Sequence, residues 1–314
     1  MKNPISPPIT SASCKTSENI AQAQKKACVT IVLSDTDNDL KSVQYTLWIA
    51  GICNKTGIWY KDTQHICIIH TGDWINKWNP APTIVDYFQI LQESAPKKCG
   101  VYLLQGNHEL ELLKRIRQGE EKRLTLRQSN FIQRQDILRV DDGVLYIHGY
   151  PSFGLLGLLK QIQESNKNLN DFNDLFRKAF YEGQYALYLN ETGLELVGDI
   201  RKASRYYLHY CQDGETRGRK ISKLLTSLGL TTIIHGHKPH MLTQIDDEMR
   251  VEIPGIRVIN NDNQAKISGL GASILDKKKQ IIFVNLKEMY LAGGEKAFQK
   301  IICQKIDKMK NALL

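Results

Sequence analysis

Residues 100–109 read GVYLLQGNHE: an apolar run, a glycine, then an amide, an imidazole and a carboxylate in succession. Apolar runs of four to six residues, rich in β-branched side chains, suit strands better than helices. The segment that follows, LELLKRIRQGEE (110–121), has helical spacing. Working outward, the same grammar recurs in CVTIVLSD (28–35), HICIIHTGD (65–73), GVLYIHGYPS (143–152) and TTIIHGHKP (231–239), with further strand-like runs at IRVIN (256–260) and IIFVNL (281–286). Helix-patterned stretches at 41–57 and 82–96 lie between them. Strand alternating with helix predicts an α/β layered core. Residues 153–211 break the rhythm, being helix-patterned without a convincing strand. They are expected to form a helical insertion that caps one rim of the site.

Five predicted strands end in side chains that bind metals or move protons. These are Asp35-Thr36-Asp37, Gly72-Asp73, Gly106-Asn107-His108-Glu109, His148-Gly149 and His235-Gly236-His237-Lys238-Pro239-His240. Layered α/β folds gather ligands where the carboxyl ends of strands converge. Mixed Asp, Asn and His donors suit manganese, iron or zinc better than magnesium or calcium alone. A single strand-end Asp is more often a helix N-cap, and Asp39 is read as the cap of the helix near Lys41. A lone histidine is more often a satisfied core residue, the reading given to His65 and His70. The Asp-x-Asp-x-Asp run is not a calcium loop, because Leu40 stands where glycine is required and Thr46 where the bidentate Glu belongs. Five clusters at successive strand ends make a joint case far stronger than any one of them.

Bulk properties narrow the alternatives. The 314 residues are 42% apolar and 24% charged, the balance of an ordinary globular protein. No run of 18 apolar residues is present, and the first 27 residues lack the apolar centre of a signal peptide, so a loose leader is expected. Seven scattered cysteines without Cys-x-x-Cys spacing indicate a reducing compartment, such as the cytoplasm, and neither a zinc ribbon nor a disulfide framework. The net charge of +9 is concentrated late: residues 277–314 hold nine lysines against three acids. There Phe298, Ile301, Ile302 and Ile306 fall near one helical face, which predicts a basic amphipathic helix over 291–314 packed on the body. An anionic membrane surface or an acidic partner is the other use of such a helix. Nucleic acid is not expected, since the segment has few aromatics for stacking and no known fingerprint.

In their order, Gly72-Asp73, LLQGNHE (103–109), YIHG (146–149) and IIHGHKPH (233–240) resemble the calcineurin-like metallophosphoesterases, and within them the phosphoprotein phosphatase branch. The resemblance spans roughly 28–152 and 213–290, within a catalytic domain over 28–290. It implies an α/β fold of two mixed β-sheets flanked by helices, with a dinuclear metal site at one edge. It further implies that Asp35 and Asp37 ligate the first metal, that Asp73 bridges both, and that Asn107, His148 and His237 hold the second. His240 is a further candidate ligand. His108 would be the proton donor to the leaving oxygen, and Arg217, in GETRGRK, would grip the substrate phosphate.

Two departures from the family pattern stand out. Asp37 replaces the histidine of Asp-x-His, which favours harder ions such as manganese and magnesium. In GDWINKW, Asn76 and Lys77 replace an Asp-Arg pair. Asn76 would then orient His108 without a charge, and Lys77 would meet phosphate as a point charge in place of a planar fork. The implied activity is phosphomonoester hydrolysis of a phosphorylated protein or peptide. Two divalent cations, manganese first and iron, zinc or magnesium as alternatives, would hold a hydroxide between them. The rivals are a nucleotide or dinucleoside polyphosphate hydrolase of the same fold, a non-catalytic phosphatase-like scaffold, and a haloacid dehalogenase-type phosphatase with Asp35 as nucleophile. In general character the insertion and the atypical ligands are similar to Wip-type effector phosphatases, which intracellular bacteria translocate into host cells.

Overall fold

A computed structural model describes residues 29–149, 151, 153–181, 217–237, 253–262, 271–276, 278, 280–284 and 286–311. The apolar runs become strands β1 (Val29–Leu33), β2 (Ile66–His70) and β3 (Gly100–Leu103), and later β5 (Val144–Ile147), β6 (Thr232–His235), β7 (Arg257–Asn260) and β9 (Ile281–Val284). Two strands lack so clear a run: β4 (Leu138–Asp141) and β8 (Ala272–Asp276). β4 is joined to β5 by Asp142-Gly143, both with positive φ, the hairpin chemistry of a tight two-residue turn. The first sheet has the order β3-β2-β1-β8-β9 and the second β4-β5-β6-β7. β1, β2 and β3 run parallel, as do β5, β6 and β7, while β4, β8 and β9 pair antiparallel. Both sheets are therefore mixed.

The runs are continuous because most strands are buried on both faces. Val32, Cys67 and Ile69 of the first sheet pack with Val144, Tyr146, Ile234 and Ile259 of the second, forming the layer between the sheets. Alternate residues Val29, Ile31, Leu33, Ile66 and Ile68 face outward under helices α1 (Leu40–Ile49) and α2 (Pro82–Glu93). Leu145, Ile147 and Ile233 face the other way. They lie under α5 (Phe153–Glu164), α6 (Phe172–Tyr181) and α7 (Arg217–Ser227), preceded in the chain by α3 (Asn107–Arg117) and α4 (Leu126–Gln133). The order is helix, sheet, sheet, helix.

Several expectations change here. The helix foreseen over 41–57 stops at Ile49, because the chain turns through Gly51 at φ +70°. Its N-cap is Asp39 as expected, the carboxylate accepting from the Ser42 N–H at 3.0 Å. The described part of the insertion does not cap the site. Leu155, Leu156, Leu159, Phe172 and Phe176 pack with Ile221 and Leu225 into the outer layer of the second sheet. After α8 (Leu286–Leu291), the basic helix α9 (Glu295–Asn311) docks through Phe298, Ile302, Ile306 and Met309 onto the α1 side. Ile301 is left partly exposed. No helix among the described residues is long and apolar enough to cross a membrane.

Candidate metal centre and active site

The carboxyl ends of β2, β3, β5 and β6 bring four donors around one point. His148 Nε2 lies 3.2 Å from Asp73 Oδ2, 3.2 Å from Asn107 Oδ1 and 3.1 Å from His237 Nδ1. Asp73, His148 and His237 together have the spacing of a metal-ligand set. The other imidazole nitrogen of His148 faces the Thr71 carbonyl at 3.1 Å, which fixes the ring so that Nε2 points into the cluster. A carboxylate oxygen, an amide oxygen and two imidazole nitrogens this close would repel unless a proton or a cation sat among them. This donor set fits a borderline transition ion.

Asp35, at the end of β1, accepts the His237 N–H through both carboxylate oxygens at 3.1 and 2.9 Å, and Ser34 Oγ donates to it. Burial, opposed by His148 but joined by the charges of Asp262 and Asp73, holds its carboxyl well above the usual range. The buried Asp262, just beyond β7, is an acidic neighbour that no motif announced. Its one sequence signal is its place after the apolar run IRVIN. Burial works against the charge of Asp73, yet His148 and His108 outweigh it and lower the carboxyl to about 2.

His108 is the second residue of α3, its backbone N–H donating to Asp73 Oδ1 at 2.9 Å. Its ring Nδ1 is 2.7 Å from Asp37 Oδ1 and 3.6 Å from Asp73 Oδ2. Burial lowers its affinity for a proton, but Asp37 and Asp73 prevail and raise it above the ordinary value. Asn76 was expected to orient His108; the structure gives it another task. Its Oδ1 accepts the Trp78 and Asn79 N–H groups at 3.0 Å each, and its own N–H donates to Asn38 Oδ1. An Asn side chain two residues ahead of a free N–H closes a local turn, and here that turn wins. Lys77 lies in the same loop, where Arg115 donates to its carbonyl.

Glu109 completes the scaffold, and its motif was legible although its role was not. Fully buried, it accepts the N–H groups of Asp73 at 2.9 Å, Ile75 at 3.0 Å and Gly106 at 2.6 Å. One carboxylate thus ties the loops after β2 and β3 together. Burial, with Asp73 nearby, lifts it to about 7. Four site residues, Asp35, Asp37, Asp73 and His237, have φ between +48° and +76°. Left-handed backbone is costly for these residues and clusters where a site over-determines it. Trp74 is a core residue, stacked edge-on to Phe88 and Phe131, whereas Trp78 is 60% exposed under the Arg115 guanidinium. His70 is a buried core histidine bonded to Thr36 and Gly72, and burial lowers it to about 3. His240 and the side chain of Arg217 lie outside the described residues; the backbone of Arg217 begins α7.

Residues 38–241, well over half of the chain, match the profile of the calcineurin-like phosphoesterase family. Among solved structures, a cold-active protein-tyrosine phosphatase of a psychrophilic Shewanella species aligns with a TM-score of 0.54 at 16% identity, over 82% of this chain and 80% of that one. A 1.1 Å structure of a cold-active protein tyrosine phosphatase gives the same score and identity, over 82% and 78%. A Saccharomyces cerevisiae protein serine/threonine phosphatase with similarity to human phosphatase PP5 gives 0.49 at 13% identity, over 86% and 89%. No relative was found among curated protein sequences.

Proposed function

We propose, on the premise that the chain belongs to the calcineurin-like phosphoesterase family, that it is a metal-dependent phosphomonoester hydrolase acting on phosphorylated proteins. The observation that carries this reading is the convergence of Asp73, Asn107, His148 and His237 beside His108. The first four would hold one divalent cation, and Asp73 with Asp35 a second, manganese being the expected ion. When bound, such cations acidify a water and neutralise phosphoryl oxygens.

The chain's own residues do the rest. Asp73 would serve both positions; one of its oxygens faces His148 and the other accepts the His108 N–H. His108 gives a proton to the leaving oxygen, a step worth about 10²–10⁴-fold. Arg217, Lys77 and His240 are proposed to meet substrate or metal at the rim. The names of the similar structures support a phosphoprotein substrate and leave tyrosine and serine/threonine to be compared directly.

The test is phosphate release from phosphotyrosine and phosphoserine/threonine peptides and a dinucleoside polyphosphate, with each metal added separately. Asp73→Asn is expected to lose bound metal and activity together, and His108→Ala to lose activity with metal retained. Undiminished turnover in both variants would defeat the assignment, and fewer than two ions per chain after manganese loading would favour a scaffold.

A further inference from the structure

We infer that Asp37 is the positioning residue of His108 and not a ligand of the first metal, an inference that rests on the hydrolase reading above. Three segments lock the contact. The Asp37 N–H donates to the Asp73 carbonyl at 3.0 Å, and the next residue, Asn38, donates to the Trp74 carbonyl at 3.2 Å, so the loop after β1 lies along the loop after β2. Asn38 adds side-chain bonds to Asn76, Asn79 and Ala81. Asp37 itself is left-handed, at φ +48°, which turns its carboxylate out of the strand direction. His108 is held from below by its own N–H on Asp73.

The competing carboxylates are separable by distance. At 2.7 Å, Asp37 Oδ1 forms a close ion pair with His108 Nδ1, without the alignment of a hydrogen bond; at 3.6 Å, Asp73 stands farther off. Asp73 already spends one oxygen on the His108 N–H and turns the other to His148. Asn76, which the sequence pattern places as the partner of His108, spends its side-chain oxygen on Trp78 and Asn79. The carboxylate lost from the loop after β2 is thus supplied from the loop after β1. The two departures from the family pattern are one exchange.

The chemistry follows from which nitrogen is occupied. A carboxylate on Nδ1 keeps a proton there and leaves Nε2 as the donor. In the reaction the bond between phosphorus and the leaving oxygen breaks as water adds to phosphorus. The Nε2 proton passes to the leaving oxygen, and the ring is reprotonated from solvent. Alkyl leaving groups need that proton, whereas p-nitrophenolate departs without it.

Asp37→Asn and Asp37→Gly both accommodate positive φ, so neither strains the loop. Both are expected to bind as much manganese as the wild type. Hydrolysis of an alkyl phosphate should fall about 10²-fold in Asp37→Gly and less in Asp37→Asn, with p-nitrophenyl phosphate falling only about two- to threefold. The ¹⁵N spectrum of the metal-free protein should show His108 protonated at Nδ1 in the wild type, and this preference should be lost in Asp37→Gly. Metal loss in both variants, or an equal fall for both leaving groups, would overturn the inference. A wild type that is inactive on every phosphoester overturns the hydrolase reading instead. The spectrum still decides the pairing, because an Nδ1 signal unchanged in Asp37→Gly refutes it whatever the activity.

Discussion

At His148 the electrostatics of the cluster reduce to one proton. Burial disfavours the imidazolium, but Asp73 and Asp35 more than compensate and lift the group to about 10. Without a cation the ring is therefore protonated near neutral pH, and the proton stands where a metal would. A cation must expel it, so uptake should release a proton and affinity should rise with pH, about tenfold per unit for a one-proton exchange. The sign for stability is opposite. In the metal-free protein this raised group stabilises the fold below the ordinary value of 6.5, and that contribution fades as pH climbs toward about 10. Manganese titrations at pH 6, 7 and 8 in two buffers of different ionisation enthalpy measure both the affinity and the proton count. A pH-independent affinity would contradict the account. At this scale the donor types were legible in the sequence, because Asp73, Asn107, His148 and His237 each end an apolar run. The targets of Asp37 and Asn76 were not. They depend on two loop conformations, one left-handed and one a side-chain turn, that spacing does not encode.

Among the elements, the start of α3 carries the closest tolerances. Gly106 is its N-cap, and a Cβ there would run into the Asp73 carboxylate and come within 2.8 Å of the His148 ring. Gly106→Ala must push aside the two residues that define the cluster, so metal uptake should be lost even where the protein still folds. Gly157, inside α5, offers the contrast: a Cβ there meets nothing within 4 Å. Gly157→Ala should leave metal binding alone and raise stability by about 0.5–1 kcal/mol, the usual gain of alanine over glycine in a helix. Isothermal titration with manganese and urea unfolding of both variants separate the two effects; normal uptake by Gly106→Ala would refute the close approach. Elements with continuous apolar runs were legible for the same reason that they are rigid, being buried on both faces. β4, β8 and α4 were not. β4 has an Arg139 within it, and Ala272 and Ser273 of β8 dilute its apolar pattern, although both strands are held by neighbours in their sheets. α4 depends on a capping box of Thr125 and Gln128 amid polar residues, and not on an apolar run.

For the whole molecule, α9 decides whether the excess positive charge belongs to the body or to an appendage. Four of its side chains, Phe298, Ile302, Ile306 and Met309, are buried among α1 and β1 residues, while Lys296, Lys300, Lys305 and Lys308 face solvent. If the helix is part of the core, its two faces must differ sharply in energetic weight. Phe298→Ala removes a buried aromatic side chain and should cost about 3–5 kcal/mol, a large share of the roughly 5–15 kcal/mol that stabilises an ordinary domain. Reversing Lys300 and Lys305 to glutamate changes the surface charge by four units, yet should move stability by no more than about 0.5 kcal/mol per site. Both effects should be seen in urea unfolding followed by tryptophan fluorescence, to which the fully buried Trp74 contributes. A helix that only leaned on the surface would give the reverse ranking, with Phe298→Ala silent in that signal. Docking through the apolar face also leaves the lysines free to act on a partner without loosening the fold. The double reversal therefore isolates any role of the positive surface from the integrity of the site.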